Sequence, residues 1–211
     1  MTPSIYRCML VPEDFLYFVS YEFNTFTQVI PVIHNYALTY ALADHFRTAT
    51  AGTSPHYEEL QSFDNYATPA VALDEPHVVT HTYNSVCSRR NQVQQPSNRV
   101  WNVPQLGRNQ KIVPLSTRFE FFVFSKSDRI PEYVRIGKKM CIATVRSTEM
   151  EVIDTVREPS EFVDVRMAFN ILDLSPNDVI AAADMVAMFP SGVARTMQVK
   201  APHYVISDGE E

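Results

Sequence analysis

Arg89, Arg90, Arg99, Arg108, Lys111, Arg118, Lys126, Arg129, Arg135, Lys138, Lys139 and Arg146 gather twelve of the chain's eighteen basic side chains into one stretch. Only Glu120, Asp128 and Glu132 stand among them, so the stretch carries a formal charge of +9. The remainder of the 211 residues holds six basic and twenty-one acidic side chains, a charge of −15, and the whole-chain value of −6 hides this opposition. A concentrated positive segment attracts a polyanion, because each neutralised phosphate releases condensed counterions. The acidic remainder repels the same polyanion and limits where it can sit. Arginine outnumbers lysine thirteen to five, and its planar fork suits bidentate phosphate contact and stacking. A solvated basic face would use the same residue types, but this concentration in one segment favours nucleic-acid binding. Arg89, Arg90, Arg99, Arg108, Lys111, Arg118, Lys126, Arg129, Lys138 and Lys139 are the expected phosphate contacts. Trp101, the single tryptophan, stands among polar and basic neighbours and could stack on a base.

Catalytic chemistry is harder to find. His77 and His81 are four apart and Cys87 follows, but no second ligand pair completes a zinc site. No metalloprotease helix motif, nucleophile elbow or phosphate-binding loop is present. The pairs Glu58-Glu59 and Asp74-Glu75 are sequence neighbours that read as solvated loop carboxylates. An acid–base ribonuclease could use His34 or His45, although His34 lies beside an apolar stripe and reads better as a buried, hydrogen-bonded histidine. The expectation is a protein without catalytic residues, cofactor or metal.

The elements that must position these side chains belong to one folded unit. Apolar residues make up 45% and aromatics 11% of the chain, enough for a real core and consistent with one domain. No apolar run approaches the ~20 residues of a membrane span, and Met1 to Met9 lacks an export pattern. Cys8, Cys87 and Cys141 are odd in number and widely spaced, as expected of buried or incidental thiols in a reducing compartment, the cytoplasm.

Ile5 to Leu10 reads as an opening strand, resumed from Phe15 to Tyr21. Ile33, Tyr36, Ala37, Tyr40 and Ala41 recur at helical spacing and predict a first helix over Ile33 to Arg47. Thr48 to Pro76 predicts a long connection with little regular structure. Residues 84–116, rich in Asn, Gln, Ser and Arg, predict an inserted loop or hairpin too polar to form core. Phe119, Phe121 and Val123 alternate with Phe122 and Phe124, which predicts a central strand covered on both faces. Base stacking on Phe119 or Phe121 is conceivable, but core packing explains the alternation better. Ser175, Pro176 and Asp178 form helix-start punctuation, and Val179, Ala183 and Val186 follow at helical spacing, which predicts a second helix. The order fits an α+β fold, with two helices on one face of an antiparallel sheet in the ferredoxin-like plan. Residues 207–211 predict a frayed acidic tail.

Two segments carry a resemblance: Ile5-Tyr6-Arg7-Cys8, and Pro31 to Leu42 with His34-Asn35-Tyr36-Ala37-Leu38 at its centre. They resemble the Cas-five-type (Csc-one) subunit of the type I-D CRISPR Cascade complex. The resemblance implies a single RRM-related, ferredoxin-like domain over residues 1–211, with residues 84–116 inserted as a basic thumb. It implies that such a subunit holds the 5′ handle of the CRISPR RNA and meets the backbone and large subunits. Target DNA beside the protospacer is a further partner to expect, although no residue of the sequence points to it. Related families receive RNA backbone on a glycine-rich loop after the last helix. The matching stretch here, residues 189–195, has one glycine, leaving Ser191, Gly192 and Arg195 as the candidates. The resemblance also implies a non-catalytic subunit. The alternative is a metal-independent endoribonuclease that processes precursor CRISPR RNA through His34 or His45.

Overall fold

A computed structural model describes residues 3–18, 20–23, 26–43, 57–84, 106–127, 129–137, 141–165, 167–188 and 191–207. The strands are β1 (Ser4–Pro12), β2 (Tyr21–Phe23), β3 (Phe26–Gln28), β4 (Val32–Ile33), β5 (Asn65–Ala67), β6 (Ala70–Ala72), β7 (Val78–Asn84), β8 (Leu106–Ile112) and β9 (Phe119–Ser125). They continue with β10 (Tyr133–Ile136), β11 (Cys141–Met150), β12 (Val152–Val156), β13 (Val163–Val165), β14 (Phe169–Asn170), β15 (Val179–Val186), β16 (Val193–Lys200) and β17 (His203–Ile206). The single α-helix among the described residues, α1, covers Asn35–Leu42.

Alternation along two strands builds the core. β9 buries Phe119, Phe121 and Val123 on one face and leaves Phe122 and Phe124 half-buried on the other. β1, its neighbour, buries Cys8 and Leu10 in the same way. The main sheet runs β10-β11-β1-β9-β6-β4 with β5 also on β9, and its pairs are antiparallel. Phe119, Phe121, Leu10, Leu38 and Ile112 pack into one cluster under it, each full burial contributing about 1.5–3 kcal/mol. A second sheet runs β2-β3-β8-β7, a third pairs β12 with β17, and a fourth sets β16 between β13 and β14 on one side and β15 on the other.

This architecture corrects the expected α+β ferredoxin-like, RRM-related fold with two helices: the protein is mostly β. The expected second helix is strand β15, paired with β16 from Val179↔Lys200 to Val186↔Val193. Its punctuation makes a turn, in which Asp178 N–H donates to Ser175 O at 3.0 Å and Ser175 N–H to Asp178 Oδ2 at 2.8 Å. Ser-Pro-Asn-Asp suits a turn as well as a cap, and the β-branched Val179, Ile180 and Val186 favour the strand that follows.

The first helix is shorter than expected and rotated. Val32 and Ile33 pair with β6 as a strand, and α1 buries Asn35, Leu38, Thr39 and Leu42 instead of the Tyr36–Ala37–Tyr40–Ala41 stripe. Part of the region expected to be irregular, residues 48–76, contributes β5 and β6 to the main sheet. The expected insertion is not wholly polar, since β8 pairs with β7 from Val78↔Ile112 to Asn84↔Leu106 and Ile112 is fully buried. Residues 85–105, which connect these two strands, lie outside the described residues, as do His45 and 208–211 of the acidic tail. Among the described residues no helix is long and apolar enough to cross a membrane.

Candidate nucleic-acid interface

Arg108 and Lys111 lie on β8, the return strand of the β7–β8 hairpin. Arg108 is exposed and has no ion-pair partner among the described residues. Lys111 Nζ sits 5.8 Å from the centre of the Phe15 ring, a cation–π contact. Phe15 in turn packs edge-on against His81 at 5.3 Å. The pairs Lys111↔Val79 and Asn109↔His81 put Lys111, Asn109 and His81 on one face of the hairpin. Cation, aromatic ring and imidazole together can meet a phosphate and a base face.

Arg118 and Lys126 flank β9 and stand roughly 26 Å apart along the extended chain. Arg118 forks onto exposed Asp74, Nε to Oδ2 at 3.0 Å and Nη2 to Oδ1 at 3.2 Å. The guanidinium holds the Asp74 carboxyl below the usual carboxylate range. Lys126 is exposed at the other end, where its backbone N–H donates to the Asp64 carbonyl. Arg129 is exposed, and its carbonyl accepts from Asn65 Nδ2 at 3.0 Å. Arg195 pairs with Asp184 at 2.8 Å, beside a cleft of about 380 Å³ that Glu120, Phe122 and Met167 also line. These cations are distributed over the hairpin, the two ends of β9 and the loop after it, and β16. Arg89, Arg90, Arg99, Trp101, Lys138 and Lys139 lie outside the described residues.

Ser191 and Gly192 belong to a different arrangement. Ser191 is buried, and its hydroxyl donates to Asn170 Oδ1 at 2.8 Å. His34 caps α1, with Nδ1 accepting the Tyr36 N–H at 3.2 Å. The ring proton therefore resides on Nε2, which donates to Ser191 Oγ at 3.0 Å. The chain of hydrogen bonds continues from Asn170 Nδ2 to Asn35 Oδ1 at 3.1 Å, and from Asn35 Nδ2 to Tyr66 OH at 2.9 Å and Asp173 Oδ2 at 3.1 Å. Tyr66 OH closes it on Asp173 Oδ1 at 2.7 Å. Asp173 lies at the surface, yet both carboxylate oxygens turn onto this network.

Burial lowers the His34 imidazole to about 4 and keeps it neutral, the Ser191 contact opposing only in part. Burial raises the Asp173 carboxyl against the hydrogen bonds from Tyr66 and Asn35. It raises the Tyr66 phenol as well, with help from the Asp173 charge. Ser191 gives its proton to an amide oxygen and receives one from His34, so the imidazole does not act as its base. The network ties the N-terminus of α1 to β5, β14 and the start of β16. A Cβ on Gly192 would meet Met185 Cε at 3.0 Å, so this loop is packed against β15. Sequence reasoning singled out His34 and Ser191, quoted Asn35 only within the family motif, and missed Tyr66, Asn170 and Asp173. Asn170 and Asp173 carried one signal, as polar residues within the apolar run 167–174.

Among the described residues no group of three or more His, Cys, Asp or Glu could hold a metal ion; Cys87 lies outside them. Cys8 and Cys141 are free and buried. Burial pushes the Cys8 thiol up to about 12 and the Cys141 thiol upward too, so neither is an activated nucleophile.

A similar fold occurs in a chain of the cryo-EM structure of the type III-B Cmr-β complex, described as bound to cognate target RNA and AMPPnP. The TM-score is 0.50 at 11% sequence identity, over 95% of this chain and 85% of that one, which makes the likeness one of fold alone. No curated protein matches this chain. The family described as type I-D CRISPR-associated protein Cas5/Csc1 matches residues 3–211. The chain belongs to that family.

Proposed function

We propose that this chain is a non-catalytic, RNA-binding subunit of a type I-D CRISPR complex that holds the 5′ handle of the CRISPR RNA. The observation that carries this reading is the concentration of twelve cations between Arg89 and Arg146, against three acids, in a member of a CRISPR-associated family. The β7–β8 hairpin presents Arg108 and the Lys111–Phe15–His81 group at the base of residues 85–105, which supports a thumb over 84–116 that tracks phosphates. A chain of similar fold sits in an effector complex described as bound to target RNA, which supports the same assignment. The acidic remainder meets the backbone and large subunits, and the complex works in the cytoplasm. Beside the large subunit, the chain also helps to read target DNA next to the protospacer. Ser191 positions the 191–195 loop through His34 and Asn170, while Gly192 and Arg195 form its RNA-facing part.

The test is recovery of the tagged chain from its native cells, with sequencing of the small RNA it carries. Guide RNAs sharing one 5′ end, recovered with other complex subunits, support the reading. No RNA, or random fragments, overturns it. Metal-independent cleavage of precursor RNA by the purified chain, lost in His34→Ala, would replace it with the endoribonuclease reading.

A further inference from the structure

The C-terminal part of the chain exposes more large apolar side chains than the basic segment, where Leu115, Tyr133 and Ile142 are the exposed ones among the described residues. Eight of the twelve large apolar side chains exposed among the described residues fall between Ile153 and Val205. Strand β15 concentrates them: Val179 is 51%, Ile180 42% and Met185 45% exposed, with Ala181, Ala182 and Ala183 exposed between them. β15 hydrogen-bonds to β16 on one side and has no strand partner on the other among the described residues. On that side no backbone hydrogen bond reaches it among the described residues. Natural edges of this kind are guarded by lysine, proline, inward charges or bulges. Val179–Val186 contains neither lysine nor proline, and its one charge, Asp184, is paired with Arg195. Register shifts at Ile180/Ala182 and Asp184/Met185 twist the strand but leave its side chains apolar.

We infer that β15 is a protein-docking edge, and that its occupant is an extended apolar segment of another polypeptide, flanked by lysine or arginine, that adds as a strand. The apolar side chains and the open strand edge select an extended peptide. The charge selects its rim, because residues 151–207 hold eight acidic and four basic side chains. A second copy of this chain would bring two acidic rims together. The surface is separate from the basic hairpin, and the inference rests on the proposed place of the chain in a type I-D complex.

The test is hydrogen exchange on the full chain, alone and within the type I-D complex purified through a different tagged subunit. The backbone amides of 179–186 exchange at least a hundredfold more slowly in the complex than in the isolated chain. The double variant Val179→Gln/Ile180→Gln, which leaves the charge unchanged, keeps the circular dichroism melt and the RNA affinity of the isolated protein, and recovers at least tenfold less of the other protein subunits. Unchanged exchange in the complex overturns the inference. So does protection that appears on adding RNA alone, or protection already present in a dimer of the isolated chain.

Discussion

His34 Nε2 lies 3.0 Å from Ser191 Oγ and joins the cap of α1 to a loop 157 residues further along the chain. Ser191 passes its own proton to Asn170, so the hydroxyl completes two buried hydrogen bonds at once. Ser191→Ala leaves the His34 Nε2–H without a partner and removes one of the two donors to Asn170 Oδ1. A buried group left unsatisfied costs about 1–3 kcal/mol. The urea midpoint should fall accordingly with an unchanged slope. An unaltered midpoint would mean that the network does not couple these elements.

The same imidazole makes stability depend on pH. His34 is lowered to about 4 in the folded protein, whereas an unfolded histidine titrates near 6.5. Between those values the unfolded chain binds more protons, so stability is fully present above about pH 6.5 and is lost as pH falls toward 4. Asp173, raised by burial, acts in the opposite sense at the acid end. Urea unfolding of wild type and His34→Gln from pH 7.5 to 4.5 checks this. The wild type should lose roughly 2–3 kcal/mol over that range, and the variant should show a flatter dependence.

Gly137 turns the chain between β10 and β11 at a φ of +78°, where a Cβ would come within 2.7 Å of the Tyr17 carbonyl oxygen. The oxygen is backbone and cannot swing aside. Gly137→Ala should therefore destabilise by roughly 1–3 kcal/mol through conformation and contact together. Thermal unfolding measures it, and an unshifted melting temperature would contradict the crowding.

What the sequence revealed and what it concealed divide along local and non-local signals. The alternation of Phe119 to Phe124 is local, and β9 lies between β1 and the β5–β6 strands. The charge separation needed only composition. The strand Val179–Val186 was misread because Val179, Ala183 and Val186 satisfy helical spacing, and nothing local reveals that β16 pairs with it. Periodicity assumes a buried face, but most of β15 is exposed. The buried network was hidden for a related reason: Asn170 finds Asn35 at a separation of 135 residues, a pairing with no trace in either neighbourhood. His34 and Ser191 were noticed, though as separate candidates.

Arg108 and Lys111 allow the electrostatic reading to be tested one charge at a time. Arg108 has no ion-pair partner among the described residues, and Lys111 rests on the Phe15 ring. Both are available to phosphates. Arg118 already gives two of its N–H groups to Asp74, so its removal takes away fewer direct phosphate contacts. For single-stranded RNA each phosphate contact contributes about 0.7 to the slope of log affinity against log salt. The variant Arg108→Ala/Lys111→Ala should therefore flatten that slope by roughly 1.4 and weaken binding at low salt. Arg118→Ala should change the slope by less than half as much. Fluorescence anisotropy with a labelled single-stranded RNA, titrated at several salt concentrations, gives both slopes. Equal effects from the two variants would show that the hairpin cations have no special part in binding, because the paired and unpaired charges would then act as one diffuse field.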